Sequence, residues 1–220
     1  MSEDLKTLRD TVSKLLVPVL WLHVVLVTLV AWTLGKGWMP GCLLATAVAA
    51  VATAVWAWAP SSRSTRLTIA VAFIGMVSIL LAECRATECQ IDIHMYYFVA
   101  MAILAIYCDW QVVLAAAAVT ILHHLMLNLV APNLVFPGGS DLRRVGLHAV
   151  VVIFEAGALM WMGQRITTLF AASAEHLAQV KAASQAAADA RAELDAQRQA
   201  AERERQARLG EVARQIRTVQ

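Results

Sequence analysis

Apolar residues along the chain fall into six long blocks, each of about 18–24 residues, which is the length a helix needs to cross a hydrocarbon core of about 30 Å. The blocks predict spans over 15–35, 39–59, 67–84, 91–108, 110–131 and 145–166. The breaks between them carry turn residues. Gly35, Lys36 and Gly37 end the first, Pro60 to Arg66 separate the second from the third, and Cys84 to Gln90 form a short polar loop. Asp109 and Trp110 mark a tight turn, and Pro132 to Arg144 is the longest connection. Helices are the expected spanning element because lipid offers a backbone amide no other partner.

After Arg165 the pattern changes to Ala, Glu, Gln and Arg, with almost no Gly or Pro before Gly210. This predicts one long polar helix. Leu177, Val180, Ala187 and Leu194, then Leu209, Val212, Ile216 and Val219, trace a seam of roughly 3.5-residue period that slips between Arg205 and Leu209. A weakly paired dimeric coiled coil and a solvated single helix both remain open for this segment. The expected organisation is an all-α integral membrane protein: a cytoplasmic segment over 1–14, a six-helix transmembrane domain over 15–166, and a cytoplasmic signalling or linker helix over 167–220.

Composition agrees with a bilayer solvent. Hydrophobic residues make up 60% and charged residues 15%, with a mean hydropathy of +0.63, against about 25% charged in soluble domains. A formal charge of +2, with bases and acids interleaved in the tail, gives no reason to expect a nucleic-acid partner. Orientation follows from Lys and Arg in the short loops. Lys6, Arg9, Lys14, Arg63, Arg66 and Arg165 fall on one side, and Lys36, Arg85, Arg143 and Arg144 on the other. The balance places both termini in the cytoplasm. The charged, amphipathic start has no small-residue cleavage site after the first block, so it does not read as a removable leader.

Ionisable groups within spans are expensive and mark sites. His94 lies near the start of the fourth span, His123 and His124 late in the fifth, and His148 early in the sixth. These three ends share the outer side, which puts the imidazoles at one depth, about 5–10 Å below the helix ends. His148 and Glu155 lie on one face, seven residues apart, and Thr120, His124 and Asn128 form an i, i+4, i+8 stripe. The directions of His123 and His124 differ by about 100°. Asp92 and Glu155 are candidate acceptors for an imidazole N–H, or Glu155 a direct ligand, and Met95 is a candidate thioether ligand. Such a set suits copper or zinc, with haem b as the alternative; interhelical polar contact without a cofactor is the competing reading. Four cysteines are too few for a disulfide framework, although Cys84 and Cys89 are close enough in sequence for a local disulfide. His23 is expected to be a packing or polar-contact residue, and His176 a surface residue. The sequence has no phosphate-binding loop and no nucleophile elbow, so an enzyme is not expected.

The stretch Asp92-Ile93-His94-Met95-Tyr96-Tyr97-Phe98, with Tyr107-Cys108-Asp109-Trp110, His123-His124-Leu125, Val135-Phe136-Pro137-Gly138-Gly139, Leu147-His148-Ala149-Val150 and Glu155, resembles the multi-helix membrane sensory region at the N-terminus of bacterial methyl-accepting chemotaxis proteins and related receptors. The resemblance covers residues 90–165, and the first three spans by hydropathy alone. It implies a homodimeric receptor of the bacterial inner membrane whose last helix continues into an output domain that engages cytoplasmic chemotaxis signalling proteins. A metal-ion or proton transporter using the same histidines, and a structural membrane anchor, are the alternatives.

Overall fold

The computed structural model describes residues 3–136 and 138–219, the side chains of 211–213 and 215–219 excepted. It is all-helical among those residues. The helices are α1 (Glu3–Thr33), α2 (Trp38–Trp58), α3 (Arg63–Glu83), α4 (Cys89–His94), α5 (Tyr96–Ala105), α6 (Trp110–Val130) and α7 (Leu142–Val219), with a 3₁₀ turn at Pro132–Leu134. The chain divides into two units at residues 170 and 171.

In the first unit α3 is the central helix, touching α1, α2, α5 and α6. Ile69, Ala70, Phe73, Ile74, Met76, Val77, Leu80 and Leu81 are buried on several of its sides, as expected of a helix surrounded by others. Its first turn is capped by Ser62, whose Oγ accepts from the Thr65 amide at 3.0 Å. The α2 helix turns a stripe of small residues inward, Gly41, Ala45, Ala49 and Ala52, while Leu43, Leu44 and Val51 face outward. Small residues at spacings of three and four let helix backbones approach closely, the usual solution where lipid is as apolar as the side chains.

The expected segment over 1–14 is not separate from the first span. Leu5, Val12, Leu16, Leu20, Val27 and Ala31 continue one buried stripe along α1, so helix and packing begin at the amphipathic start of the chain. The fourth block also differs from expectation. Over 91–108 the chain forms two short helices divided at Met95, whose amide bonds back three residues to the Asp92 carbonyl at 3.1 Å. Together Cys89–Ala105 make 17 residues, about 25 Å of helix, at the lower limit of the length that crosses a bilayer. Five helices among the described residues, α1, α2, α3, α6 and the apolar part of α7, are long and apolar enough to span a bilayer.

At the end of the unit where α5 turns into α6, Arg66 donates from Nε and Nη2 to Asp109 Oδ2 at 3.1 and 2.9 Å. Arg9 donates to the Tyr107 and Cys108 carbonyls at 3.1 and 2.8 Å. Asp109 Oδ1 caps α6 through the Gln111 amide. Cys108 holds a positive φ of 48°, unusual for a residue with a side chain, and Gly163 of α7 faces it closely: a Cβ there would lie 3.5 Å from the Cys108 Cα.

The second unit is helical over 171–219, and the described side chains over 171–210 are all exposed. Leu177, Val180, Leu194 and Leu209 of the expected seam are among them. The side chains of Val212, Ile216 and Val219 lie outside those described. The polar faces carry helix-spaced pairs such as Asp195 with Arg198 and Glu204 with Arg208.

Candidate metal centre

Three helix segments bring three imidazoles to one point. His94 is the last residue of α4, beside the break at Met95; His124 lies within α6; His148 is in the second turn of α7. The Nε2 atoms of His94 and His148 are 2.9 Å apart and those of His94 and His124 3.2 Å. One ligand atom from each ring lies within 4.8 Å of the others, so the cluster could hold a metal ion. Ligands of a tetrahedral ion at about 2.0–2.1 Å stand about 3.3 Å apart, close to the two separations from His94 Nε2. His94 and His124 are buried and His148 is half-buried. Phe136 stacks on His94 with ring centres 5.8 Å apart, and Tyr97 meets His94 and His124 edge-on at 5.8 and 5.0 Å.

The proton count matters here. His124 Nδ1 faces the Thr120 carbonyl at 2.7 Å, an oxygen that can only accept, so Nδ1 carries the ring proton and Nε2 presents a lone pair. His94 Nε2 lies between that lone pair and His148 Nε2. A proton on His94 Nε2 can point at one neighbour and not both. A bare His94 Nε2 can accept from His148, but it then confronts the His124 lone pair. Neutral rings therefore leave one contact of the triad unsatisfied, and a buried unsatisfied polar contact is costly. A cation at the centre is met by all three lone pairs at once. No carboxylate takes part, so the donor set is three neutral nitrogens with a fourth position open.

Of the four histidines expected as ligands, the structure brings together His94, His124 and His148. His123 points elsewhere: its Nδ1 lies 3.4 Å from the Tyr97 hydroxyl, which also bonds Ser78 Oγ at 2.9 Å. Asp92 is exposed and orients no imidazole. Glu155 sits two turns beyond His148 with Oε2 buried and unpartnered, as is Asn128 Nδ2. The acceptor that orients His124 is instead a backbone carbonyl four residues back, a partner every helical histidine has within reach. Met95 is 57% exposed and lines a cavity beside His94 and His148 without entering the triad. Cys84 and Cys89 are free thiols, with no disulfide between them. His23 is buried, with ring nitrogens 2.7 Å from the Val19 carbonyl and 2.8 Å from the Tyr96 hydroxyl, the expected packing role. His176 is exposed. The aromatic walls, Tyr97 and Phe136, are not among the residues the sequence singled out as ligands or their partners.

No family model, curated protein or solved structure matches the chain.

Proposed function

We propose that residues 3–170 form a membrane sensory domain that binds a transition ion, copper or zinc, at His94, His124 and His148, and that α7 relays the state of this centre to the polar helix over 171–220. The convergence of three Nε2 atoms that neutral rings cannot mutually satisfy carries the reading. Nitrogens this close leave no room for a porphyrin plane between them, which favours a bare ion over haem. In this reading α4 and α5 form a short sixth crossing, both termini are cytoplasmic, and the protein is a homodimer of the bacterial inner membrane that pairs along the seam from Leu177.

Two features support sensing over transport. The triad joins α7 to the hinge at Met95, where a helix tightened to i, i−3 bonding can change shape at low cost. At the opposite end Asp109, an obvious second station for a transported ion, is tied up by Arg66. The motif resemblance to chemoreceptor sensory regions points the same way, and chemotaxis signalling proteins are the partners it implies. Hydrogen exchange on the protein in nanodiscs tests the relay. Metal loading should change amide protection within 166–220 of the wild type and not of His124→Ala; exchange unaffected by metal in both would contradict a sensory role.

A further inference from the structure

We propose that the cavity flanking the triad binds a small carboxylate that completes the ion's coordination, an inference that rests on the metal reading above. The cavity has a volume of about 470 Å³ and is lined by His94 and His148 together with Gln90, Met95, Phe136 and Arg144. Volumes of this order suit small organic ligands. Its electrostatics call for an anion. Three neutral imidazoles cancel none of the charge of a bound ion, and no Asp or Glu lines the cavity. Glu155 lies two turns further along α7, so it does not supply the charge. Arg144 adds a second positive group. An anion lying between the ion and Arg144 would meet both positive charges at once, an attraction that the half-exposure of Arg144 moderates.

The lining also specifies how the anion is held. The Arg144 guanidinium lies 5.3 Å over the Phe136 ring, and its ion pair with Asp141 is long, at 3.9 Å, and half-exposed. Its planar fork is therefore available for a carboxylate, the partner it fits best. Gln90 is not a competitor for the ligand: its carbonyl accepts from the Ala86 amide and its amino group donates to the Asn133 carbonyl. Ile91, Met95, Val135 and Phe136 leave an apolar space for the body of the acid. Arg144 and His148 are one helical turn apart on α7, and His94 is on α4, so one carboxylate would tie α7 to the hinge beside His94.

Cobalt(II) in the full chain, reconstituted in phosphatidylcholine nanodiscs, reports the outcome through its visible bands. Acetate and benzoate should each shift the bands saturably, benzoate more tightly, and Arg144→Gln should weaken both by about tenfold or more while cobalt affinity stays within about twofold of wild type. Cobalt binding with no response to either acid, or a response unchanged in Arg144→Gln, overturns the carboxylate site and leaves the metal centre standing. The same shift produced by phosphatidylglycerol alone assigns the cavity to a lipid phosphate and overturns the free carboxylate. Absence of cobalt binding overturns the metal reading itself and this site with it.

Discussion

The pair formed by Arg66 and Asp109 provides a quantitative test of how the bundle is held at the turn between α5 and α6. Their side chains are 9% and 7% exposed, and two donors of the guanidinium converge on one carboxylate oxygen. Asp109→Asn removes the negative charge but keeps an oxygen able to cap α6, so its cost reports the carboxylate's ion pairs, with Arg66 at 2.9 Å and with Arg9 at 4.0 Å. Breaking a buried pair by removing one partner costs about 3–5 kcal/mol, because the other charge is left unpaired. Arg66 also donates to the Ser61 and Ser62 carbonyls at 3.3 and 3.2 Å, which places the expected cost at the lower end, about 3 kcal/mol. Asp109→Ala should lose about 1 kcal/mol more with the cap. Arg66→Met combined with Asp109→Asn should recover part of the loss, since Arg66 no longer brings a charge to the site while the carboxylate that also faced Arg9 at 4.0 Å stays absent. Equilibrium unfolding in mixed micelles, run as a double-mutant cycle, measures the coupling directly. Additive single effects, with coupling under about 0.5 kcal/mol, would refute the argument that these two residues act as a buried pair.

Other consequences follow from single contacts. Gly41→Val should destabilise the bundle by about 1–3 kcal/mol, because a Cβ there already meets Val27 Cγ1 at 3.2 Å and the Glu83 carboxylate closer still; thermal unfolding in detergent checks it. Tyr97→Phe should cost about 1 kcal/mol by the same assay, through loss of the hydroxyl bond to Ser78, while leaving metal affinity unchanged because no ligand nitrogen bonds that hydroxyl. Gln90→Leu should strand the Ala86 amide and the Asn133 carbonyl, loosening the 3₁₀ turn that precedes Phe136, and should weaken metal binding by about tenfold in a competition titration.

Much of this architecture is written in hydropathy, because a bilayer demands long apolar helices and the chain supplies them at α1, α2, α3 and α6 with ends close to their Gly, Pro and polar breaks. The division of the fourth block at Met95 is not. Nothing in 91–105 is Gly or Pro, and a helix that tightens to i, i−3 bonds for one turn leaves no trace in an averaged hydrophobicity. The site was legible to the level of depth: placing three helix ends on one side brought His94, His124 and His148 together. Choosing between His123 and His124 requires the rotation of α6 about its axis, and that is set by Val112, Val113, Ala116 and Thr120 packing inward. Glu155 shares a face with His148 but stands about 10 Å along the axis from it, so helical phase alone overstated its part in the site.

The most direct test of the central claim is X-ray absorption, with metal stoichiometry, on the purified protein reconstituted with copper or zinc. The account predicts one ion per chain with a first shell of three imidazole nitrogens at about 2.0–2.1 Å, lost in His124→Ala and His148→Ala and retained in His123→Ala. A protein that takes up neither metal, or one whose ion survives removal of His124 and His148, would contradict it.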